Sequence, residues 1–427
     1  MTSGDTLSTI RADRAGQRHR PQLADAFPLL GVVIFAMAVV AYGGVWIWPP
    51  NTVSPDQITD KLYEDFRLLV WAVISVGMYA VFLAGDIRHT MRVIAPYAPF
   101  VAVAIVSALA SDSPKIGLWF CAQWLVMAIA ASMAGRLAPR GWLQNAGNAT
   151  FGAVVIGSLL LALLWPSLGM EQEYAGRFLR GMFDQKNETG WFAALAVVWL
   201  SVFGSGKSKW LGRGLALAAL VLLLVSRSKT PLAMLLGGAT YYVLLRAIQG
   251  AKMSNSMKMF LATALATGEI LLIWALAPIL IDLAGKDPTL SGRTTIWSLY
   301  LSYLQGSYVL GRGPGFLSWG SNATQVIATY MPTNSVVYGI HSMYLSLFGE
   351  IGASGLALYL GALLYVALIA PLRRSDKATT CAAIFAVMIL GDGITETRDT
   401  LLPSLGTFLL LVARSSGLSS QPAQTST

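Results

Sequence analysis

Long apolar runs constrain this chain more than any other feature. Runs of roughly 17–25 apolar residues can cross a bilayer as helices. Twelve candidates lie near 27–48, 67–85, 95–112, 117–133, 150–166, 189–205, 209–225, 230–246, 258–282, 341–371, 377–391 and 401–414. Lipid offers no partner for an open strand edge, so spans this poor in polar residues must be helices. The expected fold is an all-α polytopic membrane protein of about 12 transmembrane helices. A chain of 427 residues that is 55% hydrophobic and only 12% charged is not a soluble domain. Cys121 and Cys381 both fall inside apolar spans and read as packed thiols rather than a disulfide or metal site.

The net charge of +9 invites a nucleic-acid reading, but the placement of the charges argues against one. Threading twelve spans from a cytoplasmic N-terminus puts 18 of the 30 basic residues inside, among them Arg88, Arg92, Arg136, Arg140, Arg373, Arg374 and Lys377. Only five acids join them (Asp5, Asp13, Asp25, Asp86 and Asp376). The excess of cations is thus the signature of membrane topology. Residues 1–26 and 415–427 are expected to be cytoplasmic tails, 27–282 to hold helices 1–9 and 341–414 to hold helices 10–12. Between helices 9 and 10 lies a large outer loop, 283–340, with an amphipathic run from Thr294 to Gln305.

The outer connectors carry the candidate chemistry. One contains Arg177, Arg180, Lys186 and Asn187; a second is the very short Ser226-Arg227-Ser228-Lys229-Thr230; the third brings Ser291-Gly292-Arg293 to a helix start. A charge held close to hydrocarbon is costly and therefore a functional candidate. A guanidinium presents a planar fork of donors that suits phosphate oxygens, so several arginines suit a pyrophosphate. Free N–H groups at a helix N-terminus add to such a site. Snorkelling, or pairing with Asp184, Glu188 or Asp287, is the structural alternative.

His341 is the one histidine on the outer side, since His19 and His89 fall inside. An imidazole at a helix mouth can take a proton from an attacking hydroxyl at neutral pH; it can also simply cap or pack. Helical spacing would place Tyr344 and Leu345 on its face. Glu350 would lie half a turn round and about 13.5 Å further along, too far to relay charge, and is expected to bond a neighbouring helix near Gly352 and Gly355. No cluster has metal-ligand spacing, so no metal or other cofactor is expected.

These segments resemble a known family. His341-Ser-Met-Tyr344-Leu345 followed by Glu350-Ile-Gly352-Ala-Ser-Gly355-Leu356 is similar to the H-x-x-Y-L…E-x-G…G-L signature of the O-antigen ligase and O-antigen polymerase superfamily, which includes exopolysaccharide polymerases. Arg180-Gly181-Met-Phe183…Lys186-Asn187 resembles its R-G-x-F…N motif, although Asp184 and Gln185 depart from the pattern. Ser226-Arg227-Ser228-Lys229-Thr230 resembles its S-x-S-[KR]-T element. Ser291-Gly292-Arg293…Trp297, then Leu310-Gly311-Arg312-Gly313, resembles its S/T-G-R…W…G-x-G block.

The resemblance implies a metal-independent glycosyltransferase of the GT-C type in the bacterial inner (cytoplasmic) membrane, with its active site on the periplasmic face. It would move a glycan from undecaprenyl diphosphate either to lipid A–core, as ligases do, or to a second lipid-linked repeat unit, as polymerases do. His341 would be the general base. Arg180, Arg227 and Arg293 would hold the diphosphate with Lys186 and Asn187 nearby, and Tyr344, Lys229 and Arg312 would support them. Gly311, Gly313 and Gly315 would be pivots on which the large loop closes. Two rivals remain open at this stage. A transporter or flippase of lipid-linked glycans would want polar residues at mid-membrane. A peptidoglycan polymerase would want a catalytic carboxylate in the large loop, where Asp287 is the only acid.

Overall fold

The computed structural model describes residues 28–45, 87–173, 176–203, 209–254, 256–264, 293–316 and 340–419. The candidate span 67–85, most of 258–282 and the loop residues 283–292 and 317–339 lie outside the described residues.

The described chain is overwhelmingly helical. We number α1 (Pro28–Tyr42), α2 (Ile87–Leu109), α3 (Pro114–Leu137), α4 (Arg140–Leu164), α5 (Lys186–Val198), α6 (Lys209–Ser226) and α7 (Lys229–Gly250). They are followed by α8 (Arg293–Tyr303), α9 (Met343–Leu364), α10 (Lys377–Asp392) and α11 (Leu405–Ser419). Among the described residues, six helices are long and apolar enough to cross a membrane: α2, α3, α4, α6, α7 and α9, the last with its continuation to Arg373. The chain is therefore a multi-pass membrane protein. A short antiparallel hairpin, β1 (Met170–Glu173) with β2 (Gly176–Leu179), interrupts the helices ahead of α5.

The core lies where α3 meets α1, α2 and α11, and where α10 packs between α11 and α7. Its centre is aromatic: Phe35, Phe151, Trp199, Phe203 and Phe408 are all essentially buried, with the Trp199 and Phe203 rings 4.4 Å apart. Such ring pairs add about 0.5–1.5 kcal/mol beyond their buried area.

The connectors gather at two ends. At one end Arg140 pairs with Asp376 at 3.7 Å, Arg374 donates to the Gly417 carbonyl, and Arg414 donates to the Val93 carbonyl. These are the basic connectors expected inside. At the other end meet the β-hairpin, the turn at Arg227, His341 and residues 393–404. Thus Ser228 Oγ donates to the Lys186 carbonyl at 2.7 Å, Met343 N–H donates to the Gly393 carbonyl at 2.8 Å, and the Thr230 and Thr395 hydroxyls lie 3.4 Å apart.

Several boundaries differ from expectation, with α2 beginning at Ile87 rather than 95 and α4 at Arg140 rather than 150. The last helix begins at Leu405 rather than 401, because Asp399 and Ser404 accept from Thr407 N–H and so hold 399–404 in a capping turn. It also runs past 414 to Ser419, and Ser415 is buried, donating to the Ser132 carbonyl at 2.7 Å.

Helix α9 is broken at Gly352, whose φ of 70° and ψ of −176° are open essentially to glycine alone. The break frees backbone groups, and residues 308–313 supply their partners. Arg312 N–H donates to Gly349 O at 2.8 Å, Gly313 N–H to Glu350 O at 2.9 Å, and Ala353 N–H to Tyr308 O at 2.8 Å. A break inside a membrane protein persists only where such partners exist. Glu350 bonds this inserted loop through its carboxylate, which accepts from Gly315 N–H, and a neighbouring helix through its backbone carbonyl, which accepts from Ser107 Oγ of α2 at 2.8 Å. A Cβ on Gly311 would sit 2.5 Å from the Glu350 backbone. This glycine cluster is docked against α9, α2 and α3.

Candidate functional site

Two described non-glycine residues adopt positive φ: Arg227 at 53° and His341 at 52°. Both are residues that the motifs select. A left-handed conformation costs an L-residue roughly 1–2 kcal/mol, and such strain gathers at functional positions.

Arg227 and Ser228 make up the whole turn between α6 and α7. Ser226 closes the end of α6 by donating to the Leu223 carbonyl, and Ser228 starts the next segment by bonding Lys186 O. The turn is thereby tied to the start of α5, and Gly190 leaves room for the Ser228 side chain. The arginine itself is exposed, with its guanidinium 5.9 Å from the centre of the Phe178 ring. Lys186 Nζ lies 3.9 Å from the centre of the same ring. One phenyl ring, itself buried, thus carries cations from two distant segments. Asn187 Oδ1 faces Ser228 Oγ at 3.4 Å, and Lys229 is exposed on the first turn of α7.

Arg180 is placed differently. Its Nε donates to Leu168 O at 2.9 Å and its Nη1 to Asp184 O at 3.4 Å, so much of its fork braces the turn that follows the hairpin. Any anion would meet Arg180 only through its remaining N–H groups. Arg312 lies apart from Lys186 and Arg227: it donates to Tyr303 O at 2.9 Å and stacks on the Tyr303 ring. The Tyr344 hydroxyl bonds Leu390 O and ties α9 to α10. Arg293 opens α8, but its side chain is outside the described residues. The helix it starts is fixed beside the histidine, since Trp297 Nε1 donates to Ile340 O at 2.8 Å.

His341 stands before α9, not on it. Ser342 is the N-cap and accepts from Leu345 N–H, so the expected sharing of a helical face with Tyr344 and Leu345 does not hold. The left-handed residue instead turns the half-buried imidazole toward a cavity of about 400 Å³. Gln185, Glu188 and Trp191 of the α5 start line it, together with Glu396, Thr397, Arg398, Gly43 and Gly44.

Arg398 is the residue the motifs pass over. It is 11% exposed and pairs with Glu188 at 2.9 Å, Asp392 at 3.1 Å and Glu396 at 3.7 Å. Burial by itself would lower its pKa, but the three carboxylates together outweigh burial and raise it, so the guanidinium stays charged. Next to it, burial raises the pKa of Asp399 even though Ser404 and Thr407 donate to its carboxylate. A signal was present in the sequence: Asp392, Glu396, Arg398 and Asp399 crowd one short connector between apolar runs, as Arg227 does.

The described end of the bundle can therefore do two things. A pair of cations offers donors to an anion, and a cavity beside them holds an imidazole among carboxylates. Comparison with known proteins bears on which chemistry this serves. No protein-family model matches the chain. The chain is 25% identical over 327 residues, covering 73% of its length and 74% of the relative, to the exopolysaccharide production protein ExoQ of Rhizobium meliloti (strain 1021). That likeness fits a family of the O-antigen ligase and polymerase type, the one its motifs resemble.

Proposed function

We propose that this protein is a membrane glycosyltransferase that transfers a glycan from undecaprenyl diphosphate to an acceptor hydroxyl, in exopolysaccharide production. It works from a twelve-span bundle with both termini in the cytoplasm and the site at the periplasmic face of the inner membrane. Polymerisation, with a second lipid-linked repeat unit as acceptor, is favoured over ligation to lipid A–core, because the relative is named for exopolysaccharide production.

One observation carries the reading. Lys186 and Arg227 share the Phe178 ring at the same end of the bundle as the cavity lined by His341. In the proposed reaction these cations, with Arg293 from α8, hold the diphosphate by charge-assisted bonds. His341 accepts the proton of the acceptor hydroxyl as its oxygen bonds the anomeric carbon. The bond from that carbon to the diphosphate oxygen breaks, and its electron pair leaves on the phosphate. The leaving group is already a stable anion, so fixed positive charge and one base suffice.

Incubating the purified protein in nanodiscs with undecaprenyl-diphosphate oligosaccharide tests this. A ladder of longer lipid-linked chains is expected from a polymerase; glycan appearing only on added lipid A–core would make it a ligase. Passage of substrate across a vesicle with no new glycosidic bond would instead establish a transporter.

A further inference from the structure

The cavity beside His341 is unsuited to the diphosphate, and this separates two subsites. Among its described lining residues Arg398 is the single cation, and Asp392 lies behind it with both oxygens within 3.2 Å of Nη1. Arg398 is shared among Asp392, Glu188 and Glu396, so the described wall, which Glu188 and Glu396 both line, holds more carboxylates than cations. An anion entering there would be repelled, by about 1 kcal/mol per carboxylate in a watery setting and more as water is excluded.

A sugar fits the same wall. Carboxylates accept hydrogen bonds from ring hydroxyls, and the Trp191 side chain offers an apolar edge. Arg398 Nη2 is buried and faces Glu396 at 3.7 Å, which ties that carboxylate to the same guanidinium. The volume of about 400 Å³ is that of a small-molecule site. The cations on Phe178 sit across the first turn of α5, which begins at Lys186 and carries Glu188 into the cavity.

Resting on the function proposed above, we infer that this cavity is the acceptor subsite, that it takes the uncharged terminal sugar of the acceptor glycan, and that Glu188 and Glu396 exclude acidic sugars from it. Arg398 is then a positioning residue, holding both carboxylates at the wall, and charge rather than shape sets this part of the specificity.

The test keeps one undecaprenyl-diphosphate oligosaccharide as donor and compares two lipid-linked acceptors that differ only in a terminal glucose or glucuronate. The wild-type protein is expected to prefer the glucose-terminated acceptor by about tenfold or more in kcat/KM, and the Glu188→Gln/Glu396→Gln double variant to narrow that ratio to about threefold or less. Glu396→Gln alone, which leaves the Glu188–Arg398 pair intact, should narrow it part of the way. The ratio is internal to each variant, so lost folded protein does not move it. Bond formation without preference in the wild type, or a ratio unchanged in both variants, would overturn the acceptor subsite alone. Formation of no glycosidic bond by the wild type would overturn this inference together with the function on which it rests.

Discussion

Replacing Arg398 with alanine should be the most damaging single change at the site end of the bundle. The substitution leaves Asp392, whose side chain is 2% exposed, without the cation 3.1 Å away. A buried carboxylate stripped of its partner costs about 3–5 kcal/mol. Glu188, at 30% exposure, is partly solvated and adds no more than about 1 kcal/mol. A total near 4 kcal/mol is a large part of the roughly 5–15 kcal/mol that holds a typical folded protein together. Thermal unfolding in detergent, followed by tryptophan fluorescence, measures the loss. The decisive control adds Asp392→Asn to Arg398→Ala. Neutralising the stranded carboxylate should restore at least about 2 kcal/mol, because contacting residues couple by amounts of that size. A loss below about 1 kcal/mol for Arg398→Ala, or no relief from Asp392→Asn, would refute the view that this ion cluster holds the connector in place.

Gly352→Ala should cost at least about 3 kcal/mol, since glycine-only backbone angles are worth 1–3 kcal/mol and the new Cβ would lie 2.0 Å from Val309 O; the folded fraction on size-exclusion chromatography reads this directly. Phe178→Leu removes the ring shared by Lys186 and Arg227, each contact worth about 0.5–1 kcal/mol, so KM for the lipid-linked donor should rise roughly five- to tenfold with kcat nearly kept. For Asp399, whose folded pKa is raised, the stability it contributes is present at low pH and is lost as pH rises above the ordinary aspartate range. Asp399→Asn should therefore melt close to wild type in acid and above it at neutral pH; a gap that widens toward acid instead would contradict the assignment.

Much of this molecule could be read from periodicity and charge alone. The runs at 117–133, 209–225 and 230–246 became helices with close boundaries, because hydrocarbon leaves a long apolar segment no other satisfied backbone. Arg227 was legible because a charge in so short a connector has few structural excuses. His341 was located correctly at the mouth of a helix, but its relation to Tyr344 was not, since helical spacing says nothing once a residue turns left-handed before the N-cap. The docking of 308–313 into the break at Gly352 was hidden for a related reason. Local pattern shows that a glycine can bend, while the partner that makes the bend stable comes from another part of the chain. Arg398 stayed unseen because its importance lies in Glu188, some two hundred residues away, and no motif joins the two.

The central claim is that an imidazole and a set of cations work together on a lipid-linked diphosphate. His341→Gly examines it most directly, because glycine accepts the 52° φ without strain and removes only the ring. Single-turnover transfer from undecaprenyl-diphosphate oligosaccharide, measured on variant protein that melts like the wild type, should fall at least about a hundredfold, the lower end of what a general base contributes. Transfer at the wild-type rate by that folded variant would contradict the account.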